Sequence, residues 1–220
     1  MLRIGHRGAA GHAPENTLAA LVKGIELGVD LVEFDVQRTG DGALVLFHDR
    51  RLERLTQERG DLSDIPLSAL QRLAVGQGQR IPLFDEALRS INGLVGAVID
   101  LKSEGIAAHV CQVVESTGFQ GPTIYASFWH KELLDIRRIK RSAETLALIE
   151  GMPINPTAFA MEAQATHVGL GFDCISKDYV RTFKSKNIKV FIYTVDDPAD
   201  IQWVKSLGVD GIIANFPDRI

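Results

Sequence analysis

The second apolar run of the sequence carries two carboxylates at alternate positions. Glu33 and Asp35 lie within the run LVEFDV at residues 31–36. Because successive side chains of a β-strand point to opposite faces, both carboxylates lie on one face and the apolar side chains on the other. By itself this pattern is equally typical of a sheet with one face in water. The positions of the other ionisable residues are needed to choose between the two interpretations.

Further ionisable residues lie at the ends of other apolar runs. Asp100 and Lys102 share a face in IDLK at 99–102, His6 closes the run at 2–6, and His48 follows the run at 44–47. Each of them alone has an ordinary structural explanation, such as a polar turn or a salt bridge. In a barrel of parallel strands, however, the carboxyl ends of the strands form the active site. Their shared placement therefore predicts one pocket.

The charges of these residues indicate what the pocket binds. Glu33, Asp35 and Asp100 within a few ångströms would repel each other by about 2–4 kcal/mol per pair at an effective dielectric constant near 20. Either one carboxyl group is protonated or a cation joins them, and a set of oxygen ligands favours Mg²⁺ or Ca²⁺ over zinc. With one divalent ion, Arg7 and Lys102, the pocket has a charge of about +1, which suits a singly charged phosphodiester.

Short apolar runs alternate with longer amphipathic stretches along the whole chain, which is typical of βαβ units around a parallel sheet. About eight such runs predict a TIM (β/α)₈ barrel, and a doubly wound open sheet is the alternative. The predicted strands are 2–6, 31–36, 97–101, 123–127, 145–150, 167–172, 189–195 and 211–214, with 44–47 as a short extension of the second strand.

Local signals refine this prediction. Asn16 and Thr17 predict the start of a helix that ends at Gly28, and a second helix starts at Asp197–Pro198. Only residues 215–220 follow the last strand, which predicts a barrel without its last helix. Residues from about 50 to 80 form a longer excursion between the second and third strands, which is expected to cover one end of the barrel. The expected organisation is one domain over residues 1–220.

Three small polar residues lie near strand ends, where such residues most often act as caps or turn residues. We expect this structural role for Ser127, Thr194 and Asn215.

The composition excludes several classes of partner. The net charge of −4 and the absence of a basic stripe argue against nucleic-acid binding. Cys111 and Cys174 are too few for a disulfide framework and are expected to be core thiols. No apolar run approaches the roughly 18 residues needed to cross a bilayer. We expect a cytoplasmic protein without stable membrane insertion and with a small-molecule partner; the sequence does not indicate its oligomeric state.

Seven motifs, taken in order, resemble the sequence pattern of the glycerophosphodiester phosphodiesterase family. They are HRG at 6–8, PENT at 14–17, ExD at 33–35, HD at 48–49, IDLK at 99–102, SF at 127–128 and DGIIANFPD at 210–218. The match covers nearly the whole chain and is more specific than any one motif.

The resemblance implies a TIM barrel with one divalent metal ion, which hydrolyses glycerophosphodiesters to glycerol 3-phosphate and an alcohol. The implied site residues are Glu33, Asp35 and Asp100 as metal ligands, His6 and His48 as the acid–base pair, and Arg7, Lys102, Phe128 and Tyr193 as substrate contacts. Asp100 departs from the family's usual glutamate, and Tyr193 stands where the family often has tryptophan. The segment at 50–80 corresponds to the family's insertion.

Two other functions fit some of the same residues. One is an enolisation in a Mg²⁺-dependent barrel with Lys102 as the base. The other is a barrel that binds a phosphorylated metabolite without turning it over. Both leave the histidine pair without a role. The sequence leaves open the head-group preference, the choice between Mg²⁺ and Ca²⁺, which histidine is the acid, and whether a cyclic phosphate forms.

Overall fold

A computed structural model describes all of residues 1–220. Strands and helices alternate along the chain, as the sequence predicts. In order they are β1 (Leu2–Gly5), α1 (Leu18–Glu26), β2 (Leu31–Arg38), β3 (Leu44–Leu46), α2 (Leu67–Leu70), β4 (Ala74–Val75), β5 (Gln79–Arg80), α3 (Phe84–Ile91), β6 (Gly96–Leu101), α4 (Ala107–Ser116), β7 (Thr123–Ser127), α5 (His130–Ile139), β8 (Glu144–Ile149), α6 (Ala158–Glu162), β9 (His167–Gly171), α7 (Lys177–Lys184), β10 (Lys189–Tyr193), α8 (Pro198–Ser206) and β11 (Gly211–Ala214).

Eight parallel strands close into a barrel. Their order is β1, β11, β10, β9, β8, β7, β6 and β2, and β2 pairs again with β1. The closing pair has Ile4 opposite Leu31 and Gly5 opposite Val32. This closure confirms the TIM barrel and excludes the doubly wound open sheet. The short strand β3 lies outside the ring and runs antiparallel to the end of β2.

The helix signals in the sequence are also confirmed. Thr17 caps α1 by accepting a hydrogen bond from the Ala20 amide, and Asp197 caps α8. After β11 the described residues form a 3₁₀ turn at Pro217–Arg219. No helix combines the length and apolar character that crossing a bilayer requires.

The apolar core lies in layers inside and outside the barrel wall. Val32, Phe34 and Val36 point outward from β2 and pack in the layer between strands and helices, so the strand's other face, with Glu33 and Asp35, points inward. The barrel interior is filled by Ile4, Leu31, Val98, Ile124, Ala126, Leu146, Leu148, Phe191 and Ile213. Cys111 is buried as expected, but Cys174 is only half-buried because it lies in a 3₁₀ turn after β9.

The segment from residue 51 to 80 contains α2 and the β4–β5 hairpin. Its buried side chains Leu52, Leu62, Leu70 and Val75 form a small apolar cluster together with Val45, Phe47 and Ile81, which flank the segment. Arg54 of this segment forms hydrogen bonds to Glu15, which lies in the loop after β1. The segment therefore lies against the carboxyl end of the barrel.

Candidate active site

Two neighbouring strands bring three carboxylates together inside the barrel. In the parallel pair β2–β6, Asp35 lies opposite Asp100, and Glu33 lies one inward-facing position earlier on β2. Oxygen atoms of the three side chains lie within 4.8 Å of one another. The residues are only 5%, 1% and 3% exposed for Glu33, Asp35 and Asp100. The alternation of β2 and the register with β6 thus produce a buried acidic cluster.

The loop after β1 orients two of the carboxylates. The Arg7 amide donates to Glu33 Oε2 at 2.8 Å. The Asn16 side chain donates to Asp35 Oδ2 at 2.7 Å and accepts from the Asp35 amide at 3.1 Å. This loop can pass close to α1 because Gly8, at φ +88°, has no side chain: a Cβ there would lie 2.4 Å from the backbone of Ala20.

Two cations border the cluster. Lys102 Nζ lies 2.7 Å from Asp100 Oδ2 and 3.2 Å from Asp35 Oδ1, and Arg7 Nε lies 3.4 Å from Asp35 Oδ2. Burial alone would lower the pKa of Lys102, but the carboxylates of Asp100 and Asp35 raise it above its ordinary value. Lys102 is therefore a firmly charged ammonium group.

The carboxylates respond differently to this environment. Burial and repulsion from Asp35 and Asp100 raise the pKa of Glu33 well above its usual range. Burial also raises the pKa of Asp100, although Lys102 opposes the shift. For Asp35, burial is outweighed by Lys102 and Arg7, which lower its pKa. With all three carboxyl groups ionised, the acidic cluster would contain more negative charge than Lys102 and Arg7 neutralise.

The donor set fits one divalent cation. Asp100 Oδ1 is buried and has no hydrogen-bond partner, which is costly for a carboxylate oxygen unless a cation contacts it. All three candidate ligands are carboxylates, and no histidine or cysteine belongs to the cluster. Hard cations such as Mg²⁺, Ca²⁺ or Mn²⁺ prefer such oxygen ligands.

His6 lies directly after β1 at the edge of the cluster. Its Nε2 atom is 4.0 Å from Glu33 Oε2, and its Nδ1 atom is 2.7 Å from Oδ1 of Asn215. Burial, together with the neighbouring Arg7 guanidinium, lowers the pKa of His6 to about 4. The ring is therefore neutral near pH 7 and its Nε2 atom faces the pocket.

His48 approaches the same pocket from the loop after β3, and it is more exposed than His6. Its Nδ1 atom lies 2.6 Å from Asp49 Oδ1. Arg54 binds Asp49 and also bridges to Glu15, which in turn binds Arg7. Although burial opposes it, the hydrogen bonds from Arg54 and His48 lower the pKa of Asp49 to about 2.

All nine predicted site residues line one cavity of about 240 Å³. Phe128 and Tyr193 form one wall, with their rings edge to face at 6.1 Å. Lys102 Nζ lies 5.2 Å from the centroid of the Phe128 ring. The Tyr193 hydroxyl donates to the Ile149 carbonyl at 3.0 Å, which fixes the ring against β8.

Sequence reasoning missed several contributors to this pocket. Asn16 and Thr17 together predict the start of a helix; Thr17 is the cap, whereas Asn16 binds Asp35. Asn215 lies in a bend after β11, which agrees with the expected turn role, and its side chain also contacts His6. Ser127 is the turn residue it was expected to be, because its hydroxyl donates to Leu101 O and accepts from the Trp129 amide. The motifs PENT and NFPD contained the first two signals.

Glu150 and Thr194 also line the cavity. Neither was predicted as a pocket residue, because no spacing rule connects the ends of β8 and β10 to the carboxylate cluster.

The closed barrel, with an acidic metal-type cluster, two cations and two histidines at its carboxyl end, is the architecture of a TIM-barrel enzyme with charge-stabilising chemistry. The sequence model of the glycerophosphoryl diester phosphodiesterase family matches residues 6–219. The chain belongs to this family.

Individual relatives match this chain over more than nine tenths of their own length. A glycerophosphodiester phosphodiesterase of Caldanaerobacter subterraneus is 31% identical over 232 residues, which cover 100% of this chain and 96% of the relative. A phosphodiesterase of Oleispira antarctica, whose structure contains the product sn-glycerol 3-phosphate, superposes with a TM-score of 0.93 at 27% identity and covers 99% of this chain and 94% of its own. A glycerophosphodiester phosphodiesterase of Agrobacterium tumefaciens has a TM-score of 0.85 at 26% identity, with 100% and 98% covered.

Proposed function

We propose that this enzyme hydrolyses glycerophosphodiesters to glycerol 3-phosphate and an alcohol, with one divalent metal ion and two histidines that transfer protons. The observation that carries the proposal is the buried trio of Glu33, Asp35 and Asp100 beside two cations and two imidazoles. Family membership and the product-bound relative support the substrate class.

Glu33, Asp35 and Asp100 are the residues that would bind the metal ion. Their excess negative charge and the unpartnered Asp100 Oδ1 atom support this assignment. When bound, a divalent ion polarises the phosphoryl group and stabilises charge on its oxygens. Asp100 is one methylene shorter than the glutamate usual in the family, so we expect ion affinity and preference to differ between the two residues at this position.

Arg7 and Lys102 are the proposed phosphate contacts. Both side chains border the cavity and are mostly buried, where a cation interacts more strongly with an anion than it would in water. Fixed positive charges at this place stabilise the negative charge that builds up on the phosphoryl oxygens in the transition state. Glu15 and Asp35 keep the Arg7 guanidinium in place before the substrate arrives.

His6 and His48 are the proposed proton-transfer residues. One removes a proton from the attacking hydroxyl as the new P–O bond forms. The other donates a proton to the alcohol oxygen as the old P–O bond breaks. The attacking hydroxyl belongs either to water or to the glycerol of the substrate, and in the second case a cyclic phosphate forms first and water then opens it.

Enolisation with Lys102 as the base fits the site less well. A lysine acts as a base when its environment lowers its pKa toward neutrality. Here the carboxylates of Asp100 and Asp35 have the opposite effect and raise the pKa of Lys102. The observation favours a phosphate-binding ammonium group over a catalytic base.

The test is a substrate panel assayed with the purified enzyme. We expect release of glycerol 3-phosphate from glycerophosphocholine and glycerophosphoethanolamine, measured by a coupled dehydrogenase assay. Glycerophosphoinositol and bis(glycero)phosphate extend the panel to neutral alcohols. Absence of glycerol 3-phosphate from every substrate, with a folded and metal-loaded enzyme, would reject the proposed substrate class.

Metal dependence has a separate test. EDTA is expected to abolish turnover, and parallel additions of Mg²⁺, Ca²⁺ and Mn²⁺ to the stripped enzyme identify the ions that restore it. Activity that persists undiminished after exhaustive chelation would remove the metal ion from the proposal. The same titrations monitored by thermal unfolding report binding without relying on turnover.

A further inference from the structure

Three polar side chains form a hydrogen-bonded chain from the barrel rim to His6. Asp196 follows β10, Asn215 follows β11 and His6 follows β1, and these strands are neighbours in the barrel. Asp196 Oδ2 lies 2.7 Å from Asn215 Nδ2, and Asn215 Oδ1 lies 2.7 Å from His6 Nδ1. Neither Asp196 nor Asn215 is among the proposed metal ligands, phosphate contacts or proton-transfer residues.

Asp196 binds Asn215 at two points. Its Oδ1 atom accepts from the Asn215 amide at 2.7 Å and from the Phe216 amide at 3.3 Å, while Oδ2 accepts from the Asn215 side chain. Arg219 also donates to the Asp196 carbonyl at 3.0 Å. These contacts fix the loop after β11 and the side chain of Asn215 together.

The donors and acceptors of these three hydrogen-bonded side chains can be assigned in only one way. An ionised carboxylate has no hydrogen to donate, so the atom of Asn215 that faces Asp196 must be the NH₂ group. The amide oxygen of Asn215 therefore faces His6. Because this oxygen can only accept, the Nδ1 atom of His6 must carry a hydrogen.

The consequence lies at the other ring nitrogen. With a hydrogen on Nδ1, the neutral ring has its lone pair on Nε2, which points into the cavity and lies 4.0 Å from Glu33 Oε2. When the ring is protonated, the same Nε2 atom carries the transferable hydrogen. The contact with Asn215 is compatible with both states, so the ring need not turn during proton transfer.

We propose that Asp196 and Asn215 are positioning residues for His6: Asp196 fixes the orientation of the Asn215 amide, and that amide fixes the tautomer and plane of the His6 ring. The inference rests on the proposed proton-transfer role of His6 for its effect on turnover. The tautomer itself is a property of the free enzyme and is measured without substrate.

Asp196→Asn is the most direct variant, because it changes one oxygen to NH₂ with almost no change of shape. The single oxygen of the new amide side chain still accepts from the backbone amides of Asn215 and Phe216. Its NH₂ group then faces the NH₂ group of Asn215, and the Asn215 side chain flips to avoid two opposed donors. His6 Nδ1 must then accept, and the hydrogen moves to Nε2.

The tautomer is read from long-range ¹H–¹⁵N spectra of the labelled enzyme, with the His6 signals identified by their loss in His6→Ala. We expect an Nδ1–H pattern in the wild-type enzyme and an Nε2–H pattern in Asp196→Asn. We also expect kcat to fall by about 10²-fold while KM stays within about threefold of the wild-type value. A His6 ring in the wrong tautomer leaves substrate binding unchanged but transfers protons poorly.

The double variant Asp196→Asn/Asn215→Asp exchanges the two groups. Its carboxylate at 215 accepts from His6 Nδ1–H and from the amide at 196, so every donor again has an acceptor. We expect the Nδ1–H pattern to return and kcat to recover to within about tenfold of the wild-type value. Asp218→Asn is the matched control, because Asp218 contacts the exposed ring of His12 outside the cavity.

An unchanged His6 pattern and an unchanged kcat in Asp196→Asn would overturn the inference. So would a loss of kcat with the wild-type tautomer and no recovery in the double variant, since that indicates a general structural defect. If Asp196→Asn does not fold, Asn215→Ala removes the acceptor from His6 directly and must give the same loss of kcat. Failure of the proposed proton-transfer role is separate: there, His6→Ala keeps its turnover while the tautomer still switches.

Discussion

The two ends of the barrel bury polar groups for different reasons. At the carboxyl end, Glu33, Asp35 and Asp100 are at most 5% exposed and lie close enough to repel one another. At the amino end, His167 begins β9 and is 1% exposed. It lies beside Leu146 in the register and packs on the Phe191 ring at 5.0 Å, inside the apolar interior.

The carboxylate cluster and His167 also differ in their charge and in their partners. The carboxylate cluster has an excess of negative charge, which a cation would neutralise. His167 has one partner, the Thr166 hydroxyl at 2.7 Å from Nδ1, and its Nε2 atom is buried without any. Burial, together with the positive charge of Lys189, lowers the pKa of His167 to about 4, so the ring is neutral near pH 7.

The difference shows how one barrel separates function from stability. On the proposed function, charge at the carboxyl end is expected to reduce the stability of the metal-free protein and to serve the binding of a cation and a phosphate. At the amino end, the neutral imidazole of His167 closes the barrel interior, and the contribution of His167 to stability depends on pH. Variants at the two ends should therefore change different measured quantities.

The largest effect is expected from the two histidines at the carboxyl end. His6→Ala and His48→Ala should each lower kcat by about 10²-fold or more, because each removes a proposed proton-transfer group. Steady-state kinetics with glycerophosphocholine measure the loss. His12→Ala is the control, since His12 lies at the same end and outside the cavity, and it should leave kcat unchanged. Near-normal turnover in either variant would exclude that histidine from proton transfer.

Glu33→Gln should separate activity from stability at the carboxyl end. We expect activity to be lost because a proposed metal ligand is gone, whereas the metal-free protein gains about 1–2 kcal/mol because the substitution removes a carboxyl group whose ionisation is disfavoured by burial, Asp35 and Asp100. For a chain of this length, that gain corresponds to a Tm increase of about 2–8 °C. Calorimetry in EDTA measures it, with the exposed Glu26→Gln as the control. A lower Tm would contradict the idea that the cluster is strained without a cation.

His167 should make stability depend on pH in the acid range. Its folded pKa of about 4 lies below the ordinary value of 6.5, so its contribution is fully present above pH 6.5 and is lost as the pH falls toward 4. Between pH 7.5 and pH 5, we expect this residue to account for about 2 kcal/mol of lost stability.

Urea unfolding of the wild-type enzyme and His167→Phe at both pH values isolates this contribution. The variant should lose about 2 kcal/mol less than the wild-type enzyme on acidification. His109→Gln is the control, because His109 lies exposed on α4. An equal pH dependence in the wild-type enzyme and His167→Phe would mean that His167 is as easily protonated in the folded as in the unfolded chain.

The smallest effect is expected at the edge of the carboxyl end. Arg54→Gln removes the bridge between Asp49 and Glu15 and so loosens His48 and Arg7. Because Arg54 is about half exposed, we expect kcat/KM to fall only about three- to fivefold. Arg50→Gln breaks the pair with Asp61 in the same segment and should change nothing. A loss above about 10²-fold would show that this bridge is part of the catalytic machinery itself.

Much of the fold could be predicted from local patterns. The apolar runs at 123–127 and 211–214 have the bounds of β7 and β11 as the structure has them. Other ends differ by one or two residues: the run at 31–36 continues to Arg38 because β3 supplies an antiparallel partner for the last residues of β2. Strand ends depend on the neighbouring strand, which the sequence of one strand does not reveal.

The site could be predicted only in part. Alternation placed Glu33 and Asp35 on one face, and that prediction needed no tertiary structure. The position of Lys102 between Asp35 and Asp100 follows from the register of β2 on β6. The contact between Asn215 and His6 joins residues 209 positions apart.

The sequence by itself determined the periodicities, the helix caps and the family motifs, because each depends on residues close together in the chain. The tertiary structure decided the closure of β1 on β2, the hydrogen-bonded contacts that join Asp196 and Asn215 to His6, and the burial that shifts the pKa values of Glu33 and His167. These properties depend on distance and desolvation, which exist only once the strands have met around a common interior.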